Sequence, residues 1–199
     1  ELNVDWIEIA SQSENLEDVA AAMRGTPWGA AISEMDADAR LQEYEDTLDR
    51  HYYREAISEL KSSGLGHSLL LGYLRREIDH RNIVNLLRAL RQGLPVEQRM
   101  DAMLEGGSAL KGSLLKSAAE ADNQDALMEV LRRSNMETAE LEEKLEESNE
   151  HGGFDPVVSY LAEERRSDMR RMSHLNPLSA FPIIYYLESK VIEVQNLRL

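Results

Sequence analysis

Leu41, Tyr44, Leu48, Tyr52, Ala56 and Leu60 recur at steps of three and four residues. That period places one apolar face along an α-helix and predicts a helix from Asp36 to Ser62. Ser63-Gly64 breaks the pattern, which resumes between Gly66 and Arg91 with Leu70, Leu74, Ile78, Ile83, Leu87 and Leu90. This second helix would be about 39 Å long at ~1.5 Å per residue. Gly93 and Pro95 end it.

Shorter one-sided patterns follow over Val96 to Leu104, Ser108 to Ala121, Asp125 to Arg133 and Glu137 to Glu147. Gly106-Gly107, Asp122-Asn123 and Ser134-Asn135 separate them as turn and capping residues. The glutamates crowding Glu137 to Glu150 read as a solvated helix face. His151-Gly152-Gly153 is the clearest break, after which Asp155 can cap a helix with Pro156 in its first turn, running to about Met172. Asn176 and Pro177 then open a last helix, Leu178 to Leu199. Residues before Asp36 read only as a short mixed start. No stretch alternates apolar and polar residues with period two, so the expected fold is all-α, built from bundles of long helices.

A weak internal repeat lies at an offset of 114 residues. Asp79-x-x-Asn82-Ile83 matches Glu193-x-x-Asn196-Leu197, with Arg76 over Lys190, Ile78 over Ile192 and Leu69-Leu70 over Ile183-Ile184. One helical unit used more than once would produce this, and so would chance likeness between two amphipathic helices.

Composition narrows the function. The 199 residues are 42% hydrophobic and 30% charged, an ordinary globular balance, and no apolar run approaches the roughly 18 residues of a bilayer span. There are no cysteines, which excludes disulfides, Cys-ligated metal and thiol chemistry in this sequence. A net charge of −15 would repel a phosphate backbone, so nucleic acid is not an expected partner. Only five basic residues are lysines, and acidic excess with few lysines fits either a protein kept soluble in concentrated salt, hence a halophilic source, or equally an acidic protein from an ordinary cell. Glu1 at the start and an apolar pattern still running at Leu199 read as a fragment.

Several constellations bear on chemistry. Glu77-x-x-His80 puts a carboxylate and an imidazole on one helix face, but a di-iron bundle needs a second such pair, and no other His has a Glu three residues before it. Gly106-Gly107-Ser108-Ala109-Leu110-Lys111-Gly112-Ser113 lacks the Gly-Lys-Ser/Thr order of a phosphate loop and reads as a flexible helix start. Glu163-Glu164 with Asp168, and Asp46 with Asp49, read as acidic surface rather than catalytic pairs. Met100, Met103, Met128, Met169 and Met172 read as core or interface fillers. No catalytic residue, cofactor site or metal site is expected.

The last segment carries the most specific pattern. A Pro-led start at Asn176-Pro177, an apolar stretch with Tyr185-Tyr186, then Lys190-x-x-Glu193-x-x-Asn196-Leu197-Arg198 resembles the C subunit of archaeal-type (A/V-type) rotary ATP synthases, the family that includes the d subunit of the vacuolar ATPase. Tyr73-Leu74-x-x-Glu77-x-Asp79-x-x-Asn82-Ile83 resembles the equivalent helix of the preceding repeat, and Thr26-Pro27-Trp28 a junction before it. Val191 departs from the pattern, since the family often has an acidic residue there.

The resemblance implies a funnel of three similar helical repeats. Residues 1–35 would end the first, 36–150 form the second and 151–199 start the third. It also implies a non-catalytic spacer on the cytoplasmic face of the membrane, whose partners are the central-stalk subunits and the proteolipid ring. Arg76, Arg81 and Arg88 are then candidate docking residues, because guanidinium groups make oriented contacts to carboxylates and stand out on an acidic surface; the alternative is ion pairs within the chain, with neighbours such as Glu77. Asn82 and Asn196 are expected to make interhelical hydrogen bonds. A generic helical adaptor shares the composition and is the rival reading.

Overall fold

The structure is a computed structural model that describes residues 8, 11–33, 35, 39–61, 65–134 and 136–196. All regular structure among them is helical, as expected from the period. The chain divides into two compact units, Glu1–Ala56 and Ile57–Leu199.

In the first unit, α1 (Leu16–Ala22) starts where the Asn15 side chain accepts a hydrogen bond from the Asp18 N–H. A 3-10 turn over Met23–Gly25 leads to the short α2 (Gly29–Ile32), and α3 (Leu41–Lys61) begins in this unit. Thr26 makes the corner: its hydroxyl donates to the Met23 carbonyl at 2.8 Å and accepts from the Gly29 N–H at 3.0 Å. Gly29 is required there, since a Cβ would stand 1.9 Å from the Met23 carbonyl oxygen. Ala20, Ile32 and Tyr44 form the small core. Trp28 stacks on Tyr52 with ring centres 6.1 Å apart.

The second unit contains α4 (Leu65–Arg91), α5 (Val96–Asp101), α6 (Ser113–Ala119), α7 (Gln124–Arg133), α8 (Ala139–His151), α9 (Asp155–Leu175) and α10 (Phe181–Asn196). Helix α9 packs on α4, α8 and α10, while α5 bridges α4 and α6. The fully buried side chains include Ile83, Leu87, Leu110, Leu127, Leu131 and Val157. Removing any one of these leucine side chains costs about 2–5 kcal/mol, because a close-packed core refills a cavity only in part. Arg99 is buried, and its guanidinium donates to the Ala121 carbonyl, tying α5 to the chain that leaves α6.

Two helices run past their expected ends at Glu147 and Met172, to His151 and Leu175, and three further boundaries differ for a tertiary or capping reason. The helix expected from Ser108 starts only at Ser113, after Gly112, whose backbone (φ 54°, ψ −124°) is not helical, and the Ser108, Ala109 and Leu110 N–H groups donate to Asp79. The helix expected to reach Leu104 stops at Asp101, and the Leu104 backbone pairs with Asn82. Asn176 does not open α10 but closes α9: its side-chain amide donates to the Met172 carbonyl, and α10 starts at Phe181 after a turn held by Ser179. The expected helix limits at Asp36 and Ser62, and the expected end over Leu197–Leu199, lie outside the described residues.

Candidate functional site

Most of the polar chemistry of the second unit gathers on α4. One face holds a buried clamp. Asp79 is 1% exposed, and its carboxylate accepts from the Ser108 N–H at 2.9 Å, the Ser108 hydroxyl at 2.7 Å, the Ala109 N–H at 2.9 Å and the Leu110 N–H at 2.9 Å. A buried carboxylate is tolerable only with its oxygens satisfied in this way. One turn on, the Asn82 side-chain amide donates to the Leu104 carbonyl and its oxygen accepts from the Leu104 N–H, both at 2.8 Å. Gly107 makes the approach possible, since a Cβ there would lie 2.1 Å from Asp79 Oδ1. The Gly-rich segment that superficially resembles a phosphate loop is thus already filled by a carboxylate from its own chain.

The face toward α9 is a charged seam. Arg76 Nη1 pairs with Asp168 Oδ2 at 3.0 Å, Glu77 Oε1 lies 3.7 Å from Arg165 Nη1, and His80 Nε2 lies 3.5 Å from Glu164 Oε2. Farther along, Arg91 lies over the Phe154 ring at 3.6 Å and donates to the Gly152 carbonyl. Partner numbers fall on α9 as they rise on α4, so the two helices run antiparallel. At the near end, Tyr73 meets Phe181 edge to face, and its hydroxyl donates to Glu188 of α10 at 2.8 Å.

Burial sets the electrostatics of this seam. It holds the His80 imidazole below its ordinary pKa, with the Arg165 guanidinium adding to the effect. It pushes the Glu164 carboxyl up, with the Asp168 charge as the next contribution. The Tyr73 phenol is raised by burial first and then by its bond to Glu188. His80 is therefore a neutral residue between helices at neutral pH.

The expected docking residues are placed differently from one another. Arg76 is paired across the helix interface with Asp168, and Arg81 Nε lies 3.8 Å from Glu77 on its own helix. Arg88 is exposed, and its side chain makes no ion pair or hydrogen bond with any described residue. Asn82 is fully buried, with a loop backbone as its partner. The Asn196 side chain lies outside the described residues. What sequence reading missed is the Asp79 clamp and the ion pairs to α9. Their only sequence signals are an acid in an apolar helix and a Gly-Gly pair 27 residues later.

Among the described residues, no group of three or more His, Asp or Glu side chains is placed to hold a metal. No described helix is long and apolar enough to cross a membrane. Asp79, Asn82, Arg76, Glu77 and Arg91 of α4 bind other parts of the second unit, and the class these features define is a helical scaffold tied together by polar residues.

The family described as ATP synthase (C/AC39) subunit matches residues 1–199, and the chain belongs to that family. It is similar to the C subunit of the A-type ATP synthase of Archaeoglobus fulgidus, 26% identical over 185 residues, covering 93% of this chain and 51% of the relative. The corresponding protein of Haloferax volcanii is 29% identical over 190 residues, covering 92% and 52%. That of Methanococcoides burtonii is 25% identical over 203 residues, covering 100% and 55%. The chain spans about half the length of the curated relatives it matches. No solved structure gives a significant match.

Proposed function

We infer that this chain serves in the central stalk of an archaeal rotary ATP synthase as a non-catalytic spacer. It would join the proteolipid ring to the rotor stalk at the cytoplasmic face of the membrane and so couple proton flow to ATP synthesis. The observation that carries this reading is the family match over residues 1–199. The packing supports it. A part that transmits torque has to be stiff, and long helices locked by buried side chains cannot deform continuously. The Asp79 and Asn82 clamps add a polar lock to that packing.

Arg76, Arg81 and Arg88 remain the proposed docking residues. Arg88 carries the largest share, because Arg76 and Arg81 already have acidic partners within the chain. A carboxylate on a stalk protein would meet Arg88 as an oriented, charge-assisted contact. The net charge of −15 with five lysines also supports a protein adapted to concentrated salt.

Size exclusion with light scattering, in high salt, of the chain mixed with purified central-stalk subunits tests the proposal. A one-to-one complex that Arg88→Glu weakens is expected. Two folded partners that fail to associate would leave a generic helical adaptor as the better reading.

A further inference from the structure

Residues 165–187 hold a single acid, Asp168, in a chain whose net charge is −15. The same stretch carries Arg165, Arg166, Arg170 and Arg171, all in the second half of α9. Arg165 Nη1 lies 3.7 Å from Glu77, Arg166 Nη1 lies 3.6 Å from Glu163, and Arg171 pairs with Asp168. Arg170 and His174 are exposed, and their side chains make no ion pair or hydrogen bond with any described residue. Met169 is fully buried beside Tyr73 and Phe181, and helical spacing puts Arg170, Arg171, His174 and Leu175 on the opposite, outer side of α9.

The corner that follows presents two uncovered leucines. Leu175 is 67% and Leu178 102% exposed, the highest values among the large apolar residues described. The corner is locked. The Asn176 N–H and side-chain amide both donate to the Met172 carbonyl, and the Ser179 N–H and hydroxyl both donate to the Asn176 carbonyl. The Ser179 hydroxyl oxygen accepts in turn from the N–H of Phe181, whose ring is anchored in the core. Leu178 is therefore a fixed apolar knob beside a basic surface.

We propose that the corner between α9 and α10 rests on an anionic lipid surface, with Leu175 and Leu178 entering the headgroup layer and Arg170, Arg171 and His174 facing lipid phosphates. A protruding leucine needs a pocket of matched shape in a protein partner, whereas a fluid headgroup layer admits it without one. The net charge of the whole chain does not oppose the contact, because only charges within about a Debye length, ~10 Å at 0.1 M salt, sense the surface strongly. Two weak signals, apolar and basic, act together here. The proposal deepens the membrane-face placement inferred above. Vesicle binding needs no stalk subunit, so it and stalk association can fail separately.

The chain is sedimented with vesicles of phosphatidylcholine alone and of phosphatidylcholine mixed equally with phosphatidylglycerol, at about 0.1 M salt. Binding to the anionic vesicles is expected to be at least about tenfold the stronger, and to weaken as salt is raised. Arg170→Glu and Leu178→Asp should each weaken it about tenfold. Both positions are exposed, and an unchanged helical circular dichroism spectrum checks that the variants fold. Because the chain has no cysteine, an environment-sensitive dye on Leu178→Cys reports insertion. Its emission should move to the blue on anionic vesicles, while that of the same dye on Met100→Cys, on the exposed surface of α5, stays put. Failure to sediment with anionic vesicles overturns the proposal. So does sedimentation with no shift at position 178, or with both variants binding like the parent, since the chain would then bind through another surface. A dye at 178 that shifts with stalk subunits and not with vesicles would make the occupant a protein.

Discussion

The two faces of α4 use the same kinds of groups under opposite conditions. On one, Asp79 is enclosed and all its donors are backbone or hydroxyl groups of one short loop. On the other, Arg76 and Asp168 meet with side chains 41% and 23% exposed, and Asp168 has a second partner in Arg171 at 3.0 Å. Water can replace a half-exposed ion pair, but it cannot easily reach the buried Leu110 amide once the carboxylate is lost. The clamp therefore stabilises the fold, and the seam mainly sets which helix lies opposite which.

The sharpest way to break that comparison is Asp79→Ala. It leaves the Ser108, Ala109 and Leu110 amides unbonded and is expected to cost at least ~3 kcal/mol in urea unfolding. Asp79→Asn keeps one accepting oxygen and should lose less. A loss for Asp79→Ala no larger than that for Arg76→Ala would put the two faces on the same footing.

Gly107→Ala attacks the same clamp from the loop side. Its Cβ would meet Asp79 Oδ1 at 2.1 Å and the Leu110 carbonyl oxygen at 2.9 Å, and the overpacking should cost about 1–3 kcal/mol. Combined with Asp79→Ala it should cost less than the sum of the two, because the clash is with the side chain that has been removed.

The seam should show itself through pH. His80 is depressed in the folded state, so below its ordinary value of 6.5 the unfolded chain binds the proton more readily, and stability falls as pH falls through that region. The ceiling for one proton is about 1.4 kcal/mol per pH unit. Glu164, raised above its ordinary 4.5, acts in the opposite sense at lower pH, where the folded state takes up its proton first. The groups facing His80 are Glu164 and Arg165 from α9 and Asp79 and Arg76 from its own helix. His80→Gln should flatten the slope of unfolding free energy between about pH 6.5 and 5.5. A slope unchanged in His80→Gln would assign it to other groups.

Arg76→Ala should have the smallest effect, within ~1 kcal/mol, since the pair is partly solvated and Asp168 keeps Arg171. Thermal unfolding of this variant in dilute and molar salt checks it, the difference from the parent shrinking as salt screens the pair.

Long helices are legible in the sequence because their signal is local. The helical spacing through Leu41 to Leu60 and Leu70 to Leu90 reads as two helices, and α3 and α4 cover those apolar positions. The Gly152 break and Pro156 place the start of α9 for the same reason: Gly152 adopts a φ of 76° after α8, and Pro156 lies in the first turn of α9. The start of α6 is not legible. Ser108 to Ser113 has an acceptable helix pattern, and neither the non-helical turn at Gly112 nor the docking of the Ser108 N–H on a carboxylate 29 residues earlier can be read from it. Among the arginines, the contact of Arg81 with Glu77 follows from four-residue spacing, whereas that of Arg76 with Asp168 needs α9 to arrive antiparallel across α4.

The sequence by itself determined the all-helical class, the long helices, the acidic surface and the family pattern, because each is written in neighbours within a turn or two, in composition or in short motifs. Tertiary structure alone decided that Asp79 is a structural clamp, that Arg76 is already paired, and that Leu175 and Leu178 stand uncovered at the corner between α9 and α10. The physical reason is that burial and pairing depend on which distant segment fills the space beside a side chain, and identical helical spacing is compatible with either outcome.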